Sequence, residues 1–393
     1  MWKYQMLISG LKIHNWRNFL DAEAHINGVT YVLGPNASGK SNLLDVFRFL
    51  RDVAKTDGGG LQRAVSQRGG LSKVRCLHAR KKPEISIEVN LKESSSSKEG
   101  WVYELSFSGE SSGKHRPIIK YERVTKIDGN GSRESILDRP DVHDDSDPER
   151  LTSTAIENVQ VNKEFRRLSE AFAQVTYLHL VPQLLKFSDQ ISGKRLEDDP
   201  FGQGFLEKMA ECSEKTRSIR LKRIESALQS VIPRFTNLKF VKDDHSGRPH
   251  LEMTYQHHRP FGARQREDQF SDGTLRLISL LWLLQDGDKL LLLEEPELSL
   301  NNEVIKQISR IINLIQRKTK KIRQIIITTH SDALLSDKAI DKNSILILTP
   351  NDEGTTIRSV DKAETLALDS GFSVAEAVLP RAQKLHAQMD LGL

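Results

Sequence analysis

The sequence predicts an α/β fold: a mixed sheet that carries a tight glycine-rich loop, an antiparallel meander beside it, and an inserted helical subdomain. Three observations predict it. A short β-branched run at residues 29–33 ends at Gly34-Pro35-Asn36-Ala37-Ser38-Gly39-Lys40-Ser41 and is followed by Leu43, Phe47, Leu50 and Ala54 at helical spacing, so a buried strand passes through a loop into a helix. Two further apolar runs, residues 290–293 and 325–327, read as strands buried on both faces. Residues 84–126 instead alternate apolar with polar, the period of half-exposed antiparallel strands.

In chain order, Leu7, Leu11 and Ile13, then Asn15-Trp16-Arg17-Asn18-Phe19, then residues 22–26, predict a pair of strands leading into the loop strand. After the helix that follows the loop, Gly58-Gly59-Gly60 and Gly69-Gly70 break the chain into a segment covering the approach to the loop. The meander follows at Ile85, Ile87 and Val89, at Val102, Leu105 and Phe107, and at residues 118–124, with Ser-, Gly- and Lys-rich turns at 93–100 and 109–114. Residues 138–150, acidic and proline-bearing, read as a mobile surface loop. Phe165, Leu168, Phe172 and Val175 mark a helix feeding a buried strand at 175–181, which ends at Pro182-Gln183. Residues 207–231 read as charged helix stopped by Pro233, with a hairpin at 238–240 and 251–255. Leu275, Ile278, Leu281 and Trp282 give a helix beginning near Thr274 a strong apolar face.

Composition narrows the class of protein. The 393 residues are 37% hydrophobic and 28% charged, with a mean hydropathy of -0.47, as in a soluble globular chain with an ample polar surface. The longest apolar runs, 277–284 and 290–293, are far too short to cross a bilayer, and the N-terminus has no secretory pattern. Cys76 and Cys212 have neither C-x-x-C nor metal-ligand spacing, which argues against a disulfide framework or a zinc site and fits a reducing cytoplasm. A net charge of +5 and a pI near 9.0 permit nucleic-acid contact without requiring it. The densest basic stretches, 217–223 and 317–323, sit on or beside helices, where charge is usually just solvated.

The eight residues from Gly34 to Ser41 satisfy G-x-x-x-x-G-K-[ST], a phosphate-binding loop delivered by a strand and received by a helix N-terminus. Glycines let successive N–H groups turn inward around a β-phosphate, Lys40 sets a positive charge near the β and γ oxygens, and the Ser41 hydroxyl can ligate Mg²⁺. A chance glycine-rich turn would lack the matching strand and helix. At Leu290-Leu291-Leu292-Leu293-Glu294-Glu295-Pro296-Glu297 an apolar strand ends in two adjacent acids. A P-loop needs one acid, at the end of a neighbouring parallel strand, for the magnesium shell and another to orient or deprotonate water. This assigns Glu294 to Mg²⁺ and Glu295 to the attacking water. His330 ends another buried strand, where a γ-phosphate sensor could sit; a lone histidine is more often structural or merely exposed.

Residues 34–42, which add Asn42 to the loop, with Phe270-Ser271-Asp272-Gly273-Thr274, residues 290–297, Leu298-Ser299-Leu300-Asn301 and Thr329-His330-Ser331, occur in an order that resembles the ABC-type ATPases of the RecF, SMC and OLD-like group. The resemblance spans about residues 6–360. It implies a two-lobed ABC-ATPase head that uses ATP and Mg²⁺ and dimerises head to tail with ATP in the interface. Ser271 and Gly273 would then be the signature, reaching the γ-phosphate held by the partner subunit. It also implies a Q-loop glutamine, for which Gln183 is the first choice and Gln67 the second, either being as readily a surface residue. The expected layout is an N-terminal ATPase lobe at 1–181, a helical subdomain with hairpin at 182–269, a C-terminal lobe with signature, Walker B, D-loop and H-loop at 270–361, and a tail at 362–393.

Three positions depart from that pattern: the signature reads Ser-Asp-Gly rather than Ser-Gly-Gly, the first Walker B acid is Glu294 rather than Asp, and Asn301 stands where an acid or histidine is common. Neither a long heptad run nor an appended nuclease domain is evident. The expectation is an ATPase, a homodimer or higher homo-oligomer, whose closure acts on DNA or on a separately encoded effector, a nuclease by resemblance to bacterial anti-phage defence ATPases. The alternatives are a RecF-like DNA-loading factor with no nuclease partner, a nucleotide-gated scaffold that hardly hydrolyses, and, more remotely, a transporter ATPase subunit.

Overall fold

The computed structural model describes residues 6–79, 83–94, 96–110, 115–187, 191, 195–229, 231–256, 262–287, 289–318 and 323–380. β1 (Leu7–Trp16) and β2 (Phe19–His25) form a hairpin, and the chain then crosses to β3 (Val29–Leu33). The helix Lys40–Ala54 follows, and after it come β4 (Ile85–Lys92), β5 (Gly100–Gly109), β6 (Pro117–Ile127) and β7 (Arg133–Arg139). β8 (Thr176–Leu178) precedes the helices Pro182–Lys186, Phe205–Glu211 and Glu214–Gln229, then β9 (Phe235–Lys242), β10 (Pro249–Tyr255) and β11 (Ala263–Arg266). The helix Asp272–Leu284, β12 (Leu291–Glu294), the helix Asn302–Lys318, β13 (Ile325–Thr329), β14 (Ile345–Asn351) and β15 (Gly354–Arg358) complete the main body.

The strands make three sheets. The first, ordered β2-β1-β4-β5-β6-β7, is antiparallel throughout. The second, ordered β15-β14-β3-β13-β12-β8, is parallel except for the β14–β15 hairpin at its edge. β9, β10 and β11 make a small third sheet. The mixed α/β architecture with meander is therefore the one the sequence predicts. One detail differs: the acid strand β12 does not lie beside β3, because β13 runs between them.

Alternation along the parallel strands divides the interior. Val32, Leu292, Ile326 and Leu346 face the antiparallel sheet and pack with Leu43, Phe47 and Phe49 of the helix after the loop. Leu33, Leu293, Ile327 and Ile347 face the opposite core, built on Leu277, Ile278, Leu281 and Trp282. Burial on both faces is why these strands read as continuous apolar runs. Among the described residues no helix is long and apolar enough to cross a membrane.

The segment expected as a mobile loop at 138–150 is instead anchored. Arg139 reaches Glu122 at 3.1 Å and Asp144 at 2.9 Å, and all three side chains are buried. The backbone N–H groups of Ala155 and Ile156 complete Glu122. Hydrogen bonding from Arg139 holds the Asp144 carboxyl well below the usual carboxylate range, while burial pushes Glu122 up. The acids counted as surface charge in the sequence thus include a member of a buried network.

Candidate functional site

The loop's shape follows from two residues in the left-handed region, Ala37 at φ 62° and Gly39 at φ 95°. Gly39 is also required by a close approach: a Cβ there would lie 2.1 Å from Asn18 Nδ2. Asn18, not singled out by the sequence, clamps the loop. Its Nδ2 donates to Ser38 O (3.1 Å) and Thr355 Oγ1 (2.8 Å), and its Oδ1 accepts from Asn42 Nδ2 (2.7 Å). Lys40 Nζ donates to the carbonyls of Gly34 (2.9 Å) and Pro35 (3.1 Å). Burial lowers the Lys40 pKa against the opposing pull of Glu295, Glu297 and Glu294. The first-turn N–H groups of the helix have no carbonyl one turn earlier, and Ser38 Oγ is buried without a hydrogen-bond partner among the described residues. Unused donors clustered at a helix N-terminus fit a phosphate.

Parallel strands end side by side, so β12 and β13 bring their C-terminal residues to this loop. Ser41 Oγ donates to Glu294 Oε1, and Tyr177 OH donates to Glu294 Oε2 at 2.5 Å. Burial first, and then Glu294, raise the Tyr177 pKa, so the phenol stays protonated at neutral pH. Glu295 sits at φ 44°, donates its backbone N–H to Thr328 O (3.1 Å), and sets Oε1 3.1 Å from His330 Nδ1. Arg276 Nη2 donates to the Glu295 carbonyl at 3.1 Å. Behind them Glu297 is buried and accepts from Thr329 Oγ1 at 2.5 Å; burial raises its pKa. The sequence-selected Lys40, Ser41, Glu294, Glu295 and His330 are thus linked within one constellation.

A hydroxyl and a single carboxylate in contact make an oxygen-only donor set, which suits Mg²⁺ completed by water and phosphate oxygens. Among the described residues no cluster of three or more His, Cys, Asp or Glu offers a separate metal cage.

The residues expected as the signature form a second cluster. Ser271 caps the helix Asp272–Leu284, its Oγ accepting from Thr274 N at 3.1 Å. A Cβ on Gly273 would lie 2.7 Å from the carbonyl of Ser299, itself at φ 64°, so this glycine permits the 298–301 turn to pack on the signature loop. Asp272 is held by Lys186 Nζ at 2.6 Å and by Gln183 Nε2 at 2.9 Å. Gln183 therefore touches the signature helix through its side chain. Asn301 accepts from Val304 N at 2.9 Å, as a cap on the helix Asn302–Lys318. Gln67 is exposed, just past the helix Leu61–Ser66.

The basic stretches are partly committed to internal contacts. Arg217 Nη1 donates to the carbonyl of Cys212 at 3.0 Å and its guanidinium lies 4.3 Å from the Phe240 ring centroid. Arg220 pairs with Asp286 at 3.0 Å, and buried Arg323 donates to the carbonyls of Lys289 and Leu283. Residues 319–322 lie outside the described residues.

Comparison of the whole chain with solved structures finds similar folds at low identity. An SMC head bound to the C-winged helix domain of ScpA is 12% identical with a TM-score of 0.53, covering 91% of this chain and 99% of that one. An SMC head domain with an extended coiled coil, bound to the C-terminal domain of ScpA derived from Pyrococcus furiosus, is 11% identical with a TM-score of 0.50, covering 93% and 99%. No curated protein matches in sequence. A protein-family comparison matches residues 29–336, a stretch that begins at the loop strand and runs past His330, to "AAA domain, putative AbiEii toxin, Type IV TA system". With its P-loop, paired acids and SMC-head-like fold, the chain belongs to this AAA family and is a P-loop ATPase.

Proposed function

We propose that the chain binds ATP at residues 34–42 and hydrolyses it in a head-to-tail homodimer, the closure acting on DNA or on a separately encoded effector. The observation that carries this reading is the constellation joining Ser41 to Glu294 and Glu295 to His330 at adjacent strand ends. Ser41 and Glu294 would hold Mg²⁺, which supplies charge neutralisation on the phosphates when bound. Lys40 leaves the Gly34 and Pro35 carbonyls for phosphate oxygens. Glu295, its main chain fixed by Thr328 and Arg276, orients and deprotonates water. His330 steadies the Glu295 carboxylate and stands where a γ-phosphate would be sensed.

The Ser271 and Gly273 end of the signature helix offers its dipole to the γ-phosphate of the partner subunit. A phage-defence setting with a nuclease effector, and a cytoplasmic location compatible with two free cysteines, extend the reading. ATP turnover by the purified protein, with and without double-stranded DNA, tests it. DNA-stimulated turnover supports action on DNA, and turnover indifferent to DNA points to the protein effector. Undetectable turnover despite tight ATP binding favours a second reading, a nucleotide-gated scaffold, which is motivated by Glu294 having both oxygens engaged.

A further inference from the structure

Tyr177 lies on β8 opposite Leu292 of β12, in parallel register. Residues in register on neighbouring strands share a face, as do residues two apart on one strand, so Tyr177, Leu292 and Glu294 project to the same side of the sheet. The helix after the P-loop covers that side. It presents two residues seven apart, which fall on one stripe of a helix. Ser41 donates to Glu294 Oε1, and the Arg48 guanidinium lies 4.2 Å from the Tyr177 ring centroid. Tyr177 is 9% exposed and its hydroxyl meets Glu294 Oε2 at 2.5 Å.

We propose that Tyr177, stacked beneath Arg48, is a positioning residue for the ATPase reaction: it fixes the outer oxygen of Glu294 so that the inner oxygen is aimed at the Ser41 side, where the metal would sit. The need arises from the acid's length. Glutamate has one more rotatable bond than the aspartate common at this position, and a carboxylate held at one oxygen only would sample several directions. A hydroxyl donor on the far oxygen removes that freedom. Aspartate, one methylene shorter, cannot span the same gap from β12, so Glu294 and Tyr177 form a matched pair.

This inference rests on the assignment of Glu294 to the metal shell, and the experiment separates the two. Mn²⁺ serves as the probe, its binding followed by electron paramagnetic resonance on the full chain with a non-hydrolysable ATP analogue. Tyr177→Phe is expected to weaken Mn²⁺ binding about tenfold, the scale of lost outer hydrogen bonds to a metal ligand. It should leave metal-free nucleotide affinity unchanged. In a Glu294→Asp background the same change should cost less than about twofold, because the pair is already broken. Unaltered Mn²⁺ affinity in Tyr177→Phe, with Glu294→Gln still weakened, overturns the positioning role alone. Unaltered affinity in Glu294→Gln overturns the parent assignment and this inference with it. An equal loss from Tyr177→Phe in both backgrounds marks a merely structural tyrosine and also overturns it.

Discussion

Asn18 and Tyr177 make their decisive contacts with residues 337 and 117 positions away, Thr355 and Glu294. No local pattern announces such partners. An asparagine between Arg17 and Phe19 reads as turn chemistry, and a tyrosine in a buried strand reads as core. The P-loop and the acid pair were legible because their chemistry is contiguous: glycine, lysine and serine at fixed spacing, or two acids ending an apolar run. Lys40→Ala is therefore expected to abolish nucleotide binding, read by titration with a fluorescent ATP analogue; retained affinity would remove Lys40 from the site. Asn18→Ala leaves the Ser38 carbonyl and Asn42 without their donor and acceptor. At about 1.4 kcal/mol of lost organisation, ATP affinity should fall about tenfold. An unchanged titration would show that the loop holds its shape without the clamp.

At the scale of elements, strands with apolar periodicity were readable, and those without it were not. β11, spelled Ala-Arg-Gln-Arg, carries no apolar signal and exists because β10 offers it an edge. The strand at 325–327 was readable, but its place between β3 and β12 was not, for another reason: spatial strand order is set by crossovers, which sequence order alone does not dictate. The 138–150 segment misleads because aspartates in an acidic run look solvated, whereas Asp144 and Glu122 close on Arg139. Removing one partner from a buried ion network leaves uncompensated charge, so Arg139→Ala should cost about 3–5 kcal/mol, visible as a large drop in thermal midpoint. A shift within error would mean that the segment contributes nothing to folding. On the signature helix, Ser271→Arg replaces a cap with a bulky cation at the proposed partner-facing end. ATP binding by the monomer should survive while ATP-driven association is lost. Association that persists would argue against head-to-tail closure through this helix.

Across the whole molecule, the parallel sheet acts as a wall between two cores, with the P-loop helix on one side and the signature helix on the other. Arg276 of the helix Asp272–Leu284 reaches the Glu295 carbonyl at the strand ends, next to the Glu294 that Ser41 contacts, and Gln183 and Lys186 of the helix after β8 hold Asp272. A change at the P-loop and acid site therefore has a short route to the helix Asp272–Leu284, the end that the proposed head-to-tail closure would use. The positive net charge is less informative than it looks in the sequence, because Arg217, Arg220 and Arg323 have internal partners.

The most direct measurement is the solution mass of Glu295→Gln with and without ATP, by light scattering, alongside its ATP affinity and turnover. Wild-type affinity, turnover reduced at least about a hundredfold and an ATP-dependent doubling of mass are predicted, as expected when a general base is removed from a site that closes before hydrolysis. Turnover at the wild-type rate, or a mass that stays monomeric with ATP bound, would contradict the account.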